Sequence, residues 1–130
     1  MRHLSARGIR TEPTTPEAFS GGVLREQLLT MQVPDGMQVT RFIYPPGGHS
    51  QWHVHEGEQA ILVEQGRMRV RRRHGDGLVV DAGDVVYVAP GEEHWHGATP
   101  EQALVHLAIN ASGPTRWLEA VDDAEYATGF

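Results

Sequence analysis

The stretch from Gly47 to Gly66, GGHSQWHVHEGEQAILVEQG, constrains the fold of this chain more than any other. It places His53, His55 and Gln59 within seven residues, ahead of an apolar run. Successive side chains of a β-strand point to opposite faces, so His53 and His55 project to the same side. Glu56-Gly57-Glu58 predicts a tight bend, after which Gln59 opens a second strand and can return to that side. This unit therefore predicts two imidazoles and an amide oxygen that form half a coordination shell for a divalent metal.

A second stretch, Gly83 to Ala98, reads GDVVYVAPGEEHWHGA and offers the ligand that the first unit lacks. Asp84 to Val88 is an apolar strand, and Ala89-Pro90-Gly91 is a turn. His94 and His96 lie two residues apart and share one face of the strand that follows. A metal bound by nitrogen and oxygen ligands without thiolate can be Mn, Fe, Ni, Co, Cu or Zn.

Together the two stretches resemble the paired motifs of the cupin family. The first motif, G-x5-H-x-H-x3-E-x6-G, is carried by Gly47, His53, His55, Gln59 and Gly66. The second, G-x5-P-x-G-x2-H-x3-N, is carried by Gly83, Gly91 and His94. Three positions depart from the family pattern, namely Gln59 for Glu, Ala89 for the first Pro and Ala98 for Asn. The resemblance covers roughly residues 20 to 110. It implies an all-β cupin barrel, also called a double-stranded β-helix or jelly roll, with one divalent metal per subunit.

In finer detail, the sequence resembles the manganese-dependent cupin hydroxynitrile lyases, in which glutamine replaces the usual glutamate. The segments that carry this resemblance are Trp52–Val63, Gly83–Val86, Pro90–Ala98 and His106–Ile109. The resemblance implies that the metal ligands are His53, His55, Gln59 and His94. It also implies that His96 and His106 lie near a bound cyanohydrin and that manganese is the metal.

Acid–base chemistry is expected from His96 and His106, because an imidazole with a pKa near 6.5 suits proton transfer at neutral pH. By strand alternation, His106 shares its face with Asn110. Thr40 and Phe42 should likewise point the same way as each other. We therefore predict that Thr40, Phe42 and Asn110 contribute to the substrate pocket.

A chain of 130 residues is long enough for one domain and too short for two. We divide residues 1–130 into an N-terminal arm (1–20), a barrel (21–110) and a C-terminal helical tail (111–130). The tail places Trp117, Ala120, Val121 and Ala124 at helical spacing within Pro114–Tyr126, which predicts a short C-terminal helix. Strands are predicted at 23–33, 37–44, 67–74, 78–81, 84–88 and 103–110, in addition to those of the first motif.

Composition excludes several classes of function. The net charge of −6 and the pI near 5.7 argue against nucleic acid as the main partner. The arginine-rich run from Arg69 to Arg73 is expected to be a solvated strand face. No apolar run approaches the ~20 residues of a membrane span, and the N-terminus has no signal-peptide core. With no cysteine, thiolate sites are unavailable. We expect a cytoplasmic protein that acts on a small-molecule substrate.

The resemblance to the hydroxynitrile lyases implies a metal-dependent lyase that cleaves a cyanohydrin to an aldehyde and hydrogen cyanide. Two alternatives stay open: a cupin dioxygenase that uses O2 at the same metal, and a non-catalytic cupin that binds metal or a small molecule. Open sheet edges and an N-terminal arm without a core of its own also predict a homodimer or a higher homo-oligomer.

Overall fold

The computed structural model describes residues 1–111 and 113–130. Within these two ranges the chain forms twelve strands, a 3₁₀ turn at Ala6–Gly8 and one α-helix. The strands are β1 (Thr11–Pro13), β2 (Phe19–Ser20), β3 (Leu24–Leu29), β4 (Met37–Tyr44), β5 (His49–Ser50), β6 (His53–Val54), β7 (Gln59–Arg72), β8 (Leu78–Asp81), β9 (Val85–Val88), β10 (His94–Ala98), β11 (Leu104–Ala111) and β12 (Arg116–Trp117). The helix, α1, is Asp123–Ala127. The all-β prediction with a short C-terminal helix is therefore confirmed. No helix in the described part of the chain is long and apolar enough to cross a membrane.

The strands form one curled antiparallel sheet in which β7 belongs to both halves. The first half has the order β1-β3-β4-β11-β7-β9, and the second has the order β8-β7-β10-β5-β2. Strand β6 adds to β10, and β12 adds to β6. Side chains from both halves meet in one core, because β7 contributes Ile61 and Val63 to it from one end and Met68 and Val70 from the other. The sheet is thus wrapped around a single hydrophobic interior.

Gly66 marks the point at which β7 passes from one half of the sheet to the other. Its φ is +82°, and a Cβ at this position would lie 1.9 Å from the carbonyl oxygen of Ala103. Nearby, the pairing of β11 with β7 shifts register between Val105 and His106. The sequence predicted a separate strand from residue 67 to 74, whereas a single strand of 14 residues bends at this glycine.

The N-terminal arm is tied to its own chain by two short strands. Strand β1 pairs with β3, with Thr11 opposite Glu26, and β2 pairs with β5, with Phe19 opposite Ser50. Phe19 is buried in the core, where its ring lies 5.1 Å from that of Phe42. The arm therefore closes one end of the hydrophobic interior.

The predicted helix from Pro114 to Tyr126 is wrong in its extent. The helix spans only five residues, and Arg116 and Trp117 form strand β12 instead. The backbone N–H of Leu118 donates to the carbonyl of Trp52 at 2.8 Å, so this segment bonds to the barrel before any helical turn begins. The apolar residues of the tail pack in a second cluster, made of Trp52, Trp95, Leu118, Val121 and Tyr126. The apolar residues that are spaced as in a helix are therefore residues that pack this segment against the barrel.

The arginines expected on a solvated face are half-buried beneath this tail. Arg69 donates to the carbonyl oxygen of Tyr126 at 3.1 Å and lies over the Tyr126 ring. Arg71 donates to the carbonyl oxygen of Thr128 at 2.6 Å. Arg73 lies 3.9 Å from the centre of the Trp52 ring. The solvated-face prediction is therefore wrong for Arg69, Arg71 and Arg73, because these cations hold the C-terminal segment to the sheet.

Substitution Gly66→Ala should lower the free energy of unfolding by about 3 kcal/mol, because a left-handed φ and a backbone clash combine there. Urea denaturation followed by circular dichroism measures this loss. Gly47→Ala is a matched control, since Gly47 has a φ of +81° and a Cβ at that position would meet nothing within 4 Å. The control should lose only about 1 kcal/mol. Equal losses in the two variants would contradict the steric argument.

Candidate metal centre

A cavity of about 350 Å³ lies between strands β3, β4 and β11, the N-terminal arm and the segment around Thr115. Among the described residues that line it there is no aspartate or glutamate. Its polar lining comprises Thr14, Thr15, Arg25, Gln27, Gln38, Thr40, His53, His55, Gln59, His96, Asn110 and Thr115. The cavity is therefore rich in neutral hydrogen-bonding groups and brings three of the expected ligands together.

His53 and His94 are fixed in orientation by backbone carbonyls. The Nδ1 atom of His53 donates to the carbonyl of Gln51 at 2.8 Å, and that of His94 donates to the carbonyl of Glu92 at 2.8 Å. A carbonyl can only accept, so each Nδ1 carries the proton and each Nε2 of the neutral ring keeps a lone pair. The two residues face each other across β6 and β10, with ring centres 4.2 Å apart. Both rings therefore present metal-ligating nitrogens to the same space.

Gln59 supplies an oxygen to this space. Its Nε2 donates to Oδ1 of Asn110 at 3.1 Å, which turns its Oε1 toward the histidines. That oxygen lies 3.2 Å from Nε2 of His94. Since His94 carries its proton on Nδ1, two lone-pair atoms face each other here. Two ligands at right angles, each about 2.1 Å from an octahedral cation, lie about 3 Å apart. The spacing fits a cation and is unfavourable without one.

His55 brings a further nitrogen to the site. Its ring centre is 5.1 Å from that of His53 and 5.5 Å from that of His94. Its Nδ1 lies 3.3 Å from the hydroxyl of Thr115, which can accept a hydrogen bond from it, and 3.4 Å from Nδ2 of Asn110. Its Nε2 is buried and has no hydrogen-bond partner among the described residues. A buried nitrogen without a partner is unfavourable, and coordination of a cation would satisfy it.

His96 also lies beside His53 and His94, with its ring centre 5.1 Å and 5.6 Å from theirs. One ligating nitrogen from each of His53, His94 and His96 lies within 4.8 Å of the others, and all three residues are buried. The structure therefore contains a three-histidine cluster that can bind a metal, as in cupins. The expected set of His53, His55, Gln59 and His94 overlaps with this cluster in two residues.

All of these imidazoles are held in the neutral form at pH 7. Burial lowers the pKa of His55 and that of His94 to about 4. Burial also holds the pKa values of His53 and His96 well below the usual 6.5, and neighbouring imidazoles add to the effect. A neutral imidazole has a lone pair to offer, so the electrostatics of the site favour metal binding over protonation.

Tyr44 is a residue of the site that sequence reasoning missed. Its hydroxyl lies 3.0 Å from Nδ1 of His96 and 2.9 Å from Nε2 of His106, so it bridges the two imidazoles. Burial raises the pKa of Tyr44 well above 10. The alternation that puts Thr40 and Phe42 on one face extends to Tyr44, and that signal was sufficient to include it.

His106 lies in the interior of the barrel beside Tyr44 and His96. It is fully buried, it is not among the residues lining the cavity, and its ring lies 5.1 Å from that of Tyr44. Burial lowers the pKa of His106 to about 3. The His106 ring also lies 5.0 Å from that of His96, so His106 contacts the cluster both directly and through Tyr44. Its role in proton transfer stays a prediction.

The three residues expected in the substrate pocket, Thr40, Phe42 and Asn110, all lie on the cavity wall. Strand pairing places Thr40 opposite Ala108 and Phe42 opposite His106. Arg25 and Gln27 on β3 also line the cavity and were not anticipated, because the sequence alone does not show which face of β3 points inward. Contact of Thr40, Phe42 and Asn110 with a substrate stays a prediction.

The chain belongs to the cupin family, since its residues 40–120 match the family described as Cupin domain. The match confirms the expected fold family and is consistent with the curled antiparallel sheet. The protein is therefore a cupin in which three buried histidines beside a cavity can bind a metal.

Individual relatives narrow the comparison. The chain is 37% identical over 116 residues to an (R)-mandelonitrile lyase from Granulicella tundricola. This alignment covers 83% of this chain and 85% of the relative. A crystal structure of a cupin-like protein from Thermotoga maritima superposes with a TM-score of 0.87 at 33% identity, covering 92% of this chain and 93% of that one. A polyketide cyclase from Streptomyces resistomycificus has a TM-score of 0.73 at 23% identity, with coverage of 97% and 90%, and shares the fold alone. The similarity to the lyase supports a cupin enzyme in general terms.

We expect the purified protein to contain about one equivalent of divalent metal, bound through His53, His55, Gln59 and His94. His94→Ala should weaken binding of manganese at least tenfold, because a ligand is removed from a closed set. His96→Ala should keep the metal, since the four expected ligands His53, His55, Gln59 and His94 are all retained in that variant. Elemental analysis and manganese titration measure both effects.

The matched control is His74→Ala, which removes an exposed imidazole from a turn and should leave metal content unchanged. Loss of metal in His96→Ala with retention in a His55→Ala variant would replace the expected ligand set by His53, His94 and His96. Full metal content in His94→Ala would reject both sets.

Proposed function

We propose that this cupin is a metal-dependent hydroxynitrile lyase, which cleaves a cyanohydrin to an aldehyde and hydrogen cyanide and catalyses the reverse addition. The observation that carries the proposal is the neutral donor set, in which the lone pairs of His53, His94 and Gln59 face one point beside a cavity without carboxylates. The similarity to a protein named (R)-mandelonitrile lyase supports the same reaction class.

A divalent cation in this set, for which we propose manganese, supplies a Lewis acid that stabilises negative charge on a substrate oxygen or on cyanide. The protein contributes three neutral imidazoles and one neutral amide, so it does not reduce the positive charge of the ion. A glutamate at position 59 would reduce that charge by one unit. Gln59 is therefore suited to charge stabilisation in the transition state.

His96 is positioned to transfer the proton. It lines the cavity, and its Nδ1 is engaged with the hydroxyl of Tyr44, which leaves Nε2 for the substrate. In cleavage, Nε2 accepts the hydroxyl proton while the bond between the carbinol carbon and the nitrile carbon breaks. The electron pair of that bond leaves with cyanide, which takes the proton from Nε2 of His96 to give hydrogen cyanide and restores the neutral imidazole. The imidazole is neutral before the step, as a general base must be.

Tyr44 and His106 orient His96 for this step. When Nδ1 of His96 donates to the oxygen of Tyr44, the Tyr44 hydroxyl is free to donate to Nε2 of His106 at 2.9 Å. This chain fixes the tautomer that exposes the basic Nε2 of His96. His106 thus acts as a positioning residue, and Thr40, Phe42 and Asn110 form the wall against which the substrate is held.

His96→Ala should lower the rate of mandelonitrile cleavage about 10²-fold, the usual contribution of a general base. His106→Ala should keep the metal and lower the rate by about tenfold, because only the orientation of His96 is lost. The absorbance of benzaldehyde follows the reaction, and His74→Ala, which alters an exposed turn, should match wild type.

The same preparations decide among the alternatives. If protein loaded with manganese, iron, nickel or cobalt cleaves no cyanohydrin, the lyase proposal fails. Consumption of O2 by the iron-loaded protein with an added organic substrate would instead indicate a dioxygenase. Absence of both reactions, together with saturable binding of a small molecule, would indicate a binding protein.

We also propose that the protein is a homodimer, since several large apolar side chains remain on its surface. Met37, Val79, Val85 and Tyr87 are each at least half exposed in the single chain, which favours contact with a second copy. Light scattering at micromolar concentration should give about twice the chain mass of 14.4 kDa. A mass equal to that of one chain would contradict the proposal.

A further inference from the structure

Arg25 is the one formally charged side chain among the described residues that line the cavity. It lies on β3, directly opposite Phe42 of β4, and Phe42 in turn lies opposite His106 of β11. The imidazole cluster forms another part of the same cavity wall. A cation is thus built into the compartment in which the proposed chemistry takes place.

The protein satisfies only part of the hydrogen-bonding capacity of Arg25. Its Nη2 donates to Oε1 of Gln27 at 2.9 Å, whereas its Nε is buried and has no partner among the described residues. A guanidinium has five N–H donors in a fixed plane, and a buried donor without a partner is costly. The unpaired Nε therefore indicates a group that the cavity is built to receive.

Gln27 holds the guanidinium in place. Its own Nε2 donates to the carbonyl of Leu29 at 2.8 Å, and its Oε1 also accepts from the Thr40 hydroxyl at 3.2 Å. The amide is thereby locked with its oxygen toward Arg25. The orientation of Arg25 is prepared in advance, which lowers the entropic cost of binding a ligand.

Neighbouring carboxylates do not neutralise Arg25. Glu12 lies opposite Arg25 across β1 and β3, but it makes no ion pair with Arg25 within 4.0 Å in the described structure and does not line the cavity. Glu26, the next residue in the chain, is engaged by Thr11 and Arg41. The positive charge of Arg25 is therefore available to a ligand.

We propose that Arg25 binds a carboxylate of the substrate, so that the natural substrate is a small organic acid whose reacting group lies at the metal centre. A carboxylate accepts two parallel hydrogen bonds from a guanidinium and would satisfy the buried Nε. The identity of the reacting group rests on the proposed function, whereas the binding of a carboxylate by Arg25 is inferred independently of it.

The strand order sets the separation of the two ends of this substrate. Strands β3, β4, β11 and β7 are successive neighbours, and their pairing leads from Arg25 through Phe42 and His106 to Val63 of β7, four residues after Gln59. At about 4.8 Å per strand, about 14 Å of sheet separates the backbones of Arg25 and Val63, and the curl of the sheet shortens the direct distance. The arginine side chain covers part of this distance. A ligand that touches both sites carries its carboxylate several bonds from the reacting carbon, as in a para-substituted aromatic acid.

The test compares two ligands that differ in this group, 4-formylbenzoate and 4-methylbenzaldehyde. Titration calorimetry with the metal-loaded protein should show that 4-formylbenzoate binds at least tenfold more tightly, as expected for a charge-assisted hydrogen-bonded pair. In Arg25→Gln this ratio should fall to about one. Arg25→Lys should keep part of it, because it retains the charge and loses the planar fork. Glu12→Gln is the control and should keep the wild-type ratio.

The cyanohydrins of the same two aldehydes form the catalytic arm, in which kcat/KM should show the same preference and the same dependence on Arg25. Equal affinity of wild type for the two aldehydes, or an unchanged ratio in Arg25→Gln with an unchanged urea midpoint, would overturn the proposal. If neither cyanohydrin is cleaved but the binding ratio still depends on Arg25, the carboxylate site stands and the lyase function fails.

Discussion

The hydrogen bonds from Nδ1 of His53 and of His94 to backbone carbonyls are the interactions on which this site depends. They decide which ring nitrogen carries the proton, and so they point two lone pairs into the same small space. The amide oxygen of Gln59 is turned toward the same space by its bond to Asn110. Three acceptors at close quarters repel one another unless a cation lies between them. The arrangement of the backbone therefore prepares the electrostatics of a metal site.

Convergence of His53, Gln59 and His94 on one point requires the sheet to curl. His53 is on β6, Gln59 begins β7 and His94 begins β10, so three strands have to converge. Strand β7 serves both halves of the sheet, and the bend at Gly66 lets its first residues face β11 while its last residues pair with β10. The core residues on β7 on either side of that bend hold the curvature by burying apolar surface. Curvature and ligand convergence thus have the same structural origin.

Local pattern was sufficient for much of the fold, because alternation and turn residues are short-range signals. The strand from Met37 to Tyr44 was predicted with the observed bounds, and the metal cluster draws on the histidines of both motifs. Two features depend on long-range contacts and could not be predicted. The tail after Pro114 forms backbone bonds with β6 and covers Trp52, which no helical period can indicate. Likewise, the burial of His106 behind Tyr44 depends on how β4 and β11 pair across the sheet.

The distribution of charge gives the cavity its character. The chain has a net charge of −6, yet its described cavity wall carries no carboxylate and one guanidinium. Buried neutral imidazoles add no charge of their own, so a bound divalent ion would act there without competing anions. In the functions proposed above, such a site would stabilise negative charge on a ligand, either as a developing alkoxide at the metal end or as a fixed carboxylate at Arg25. The absence of acidic side chains from the described cavity wall would then serve both reaction and recognition.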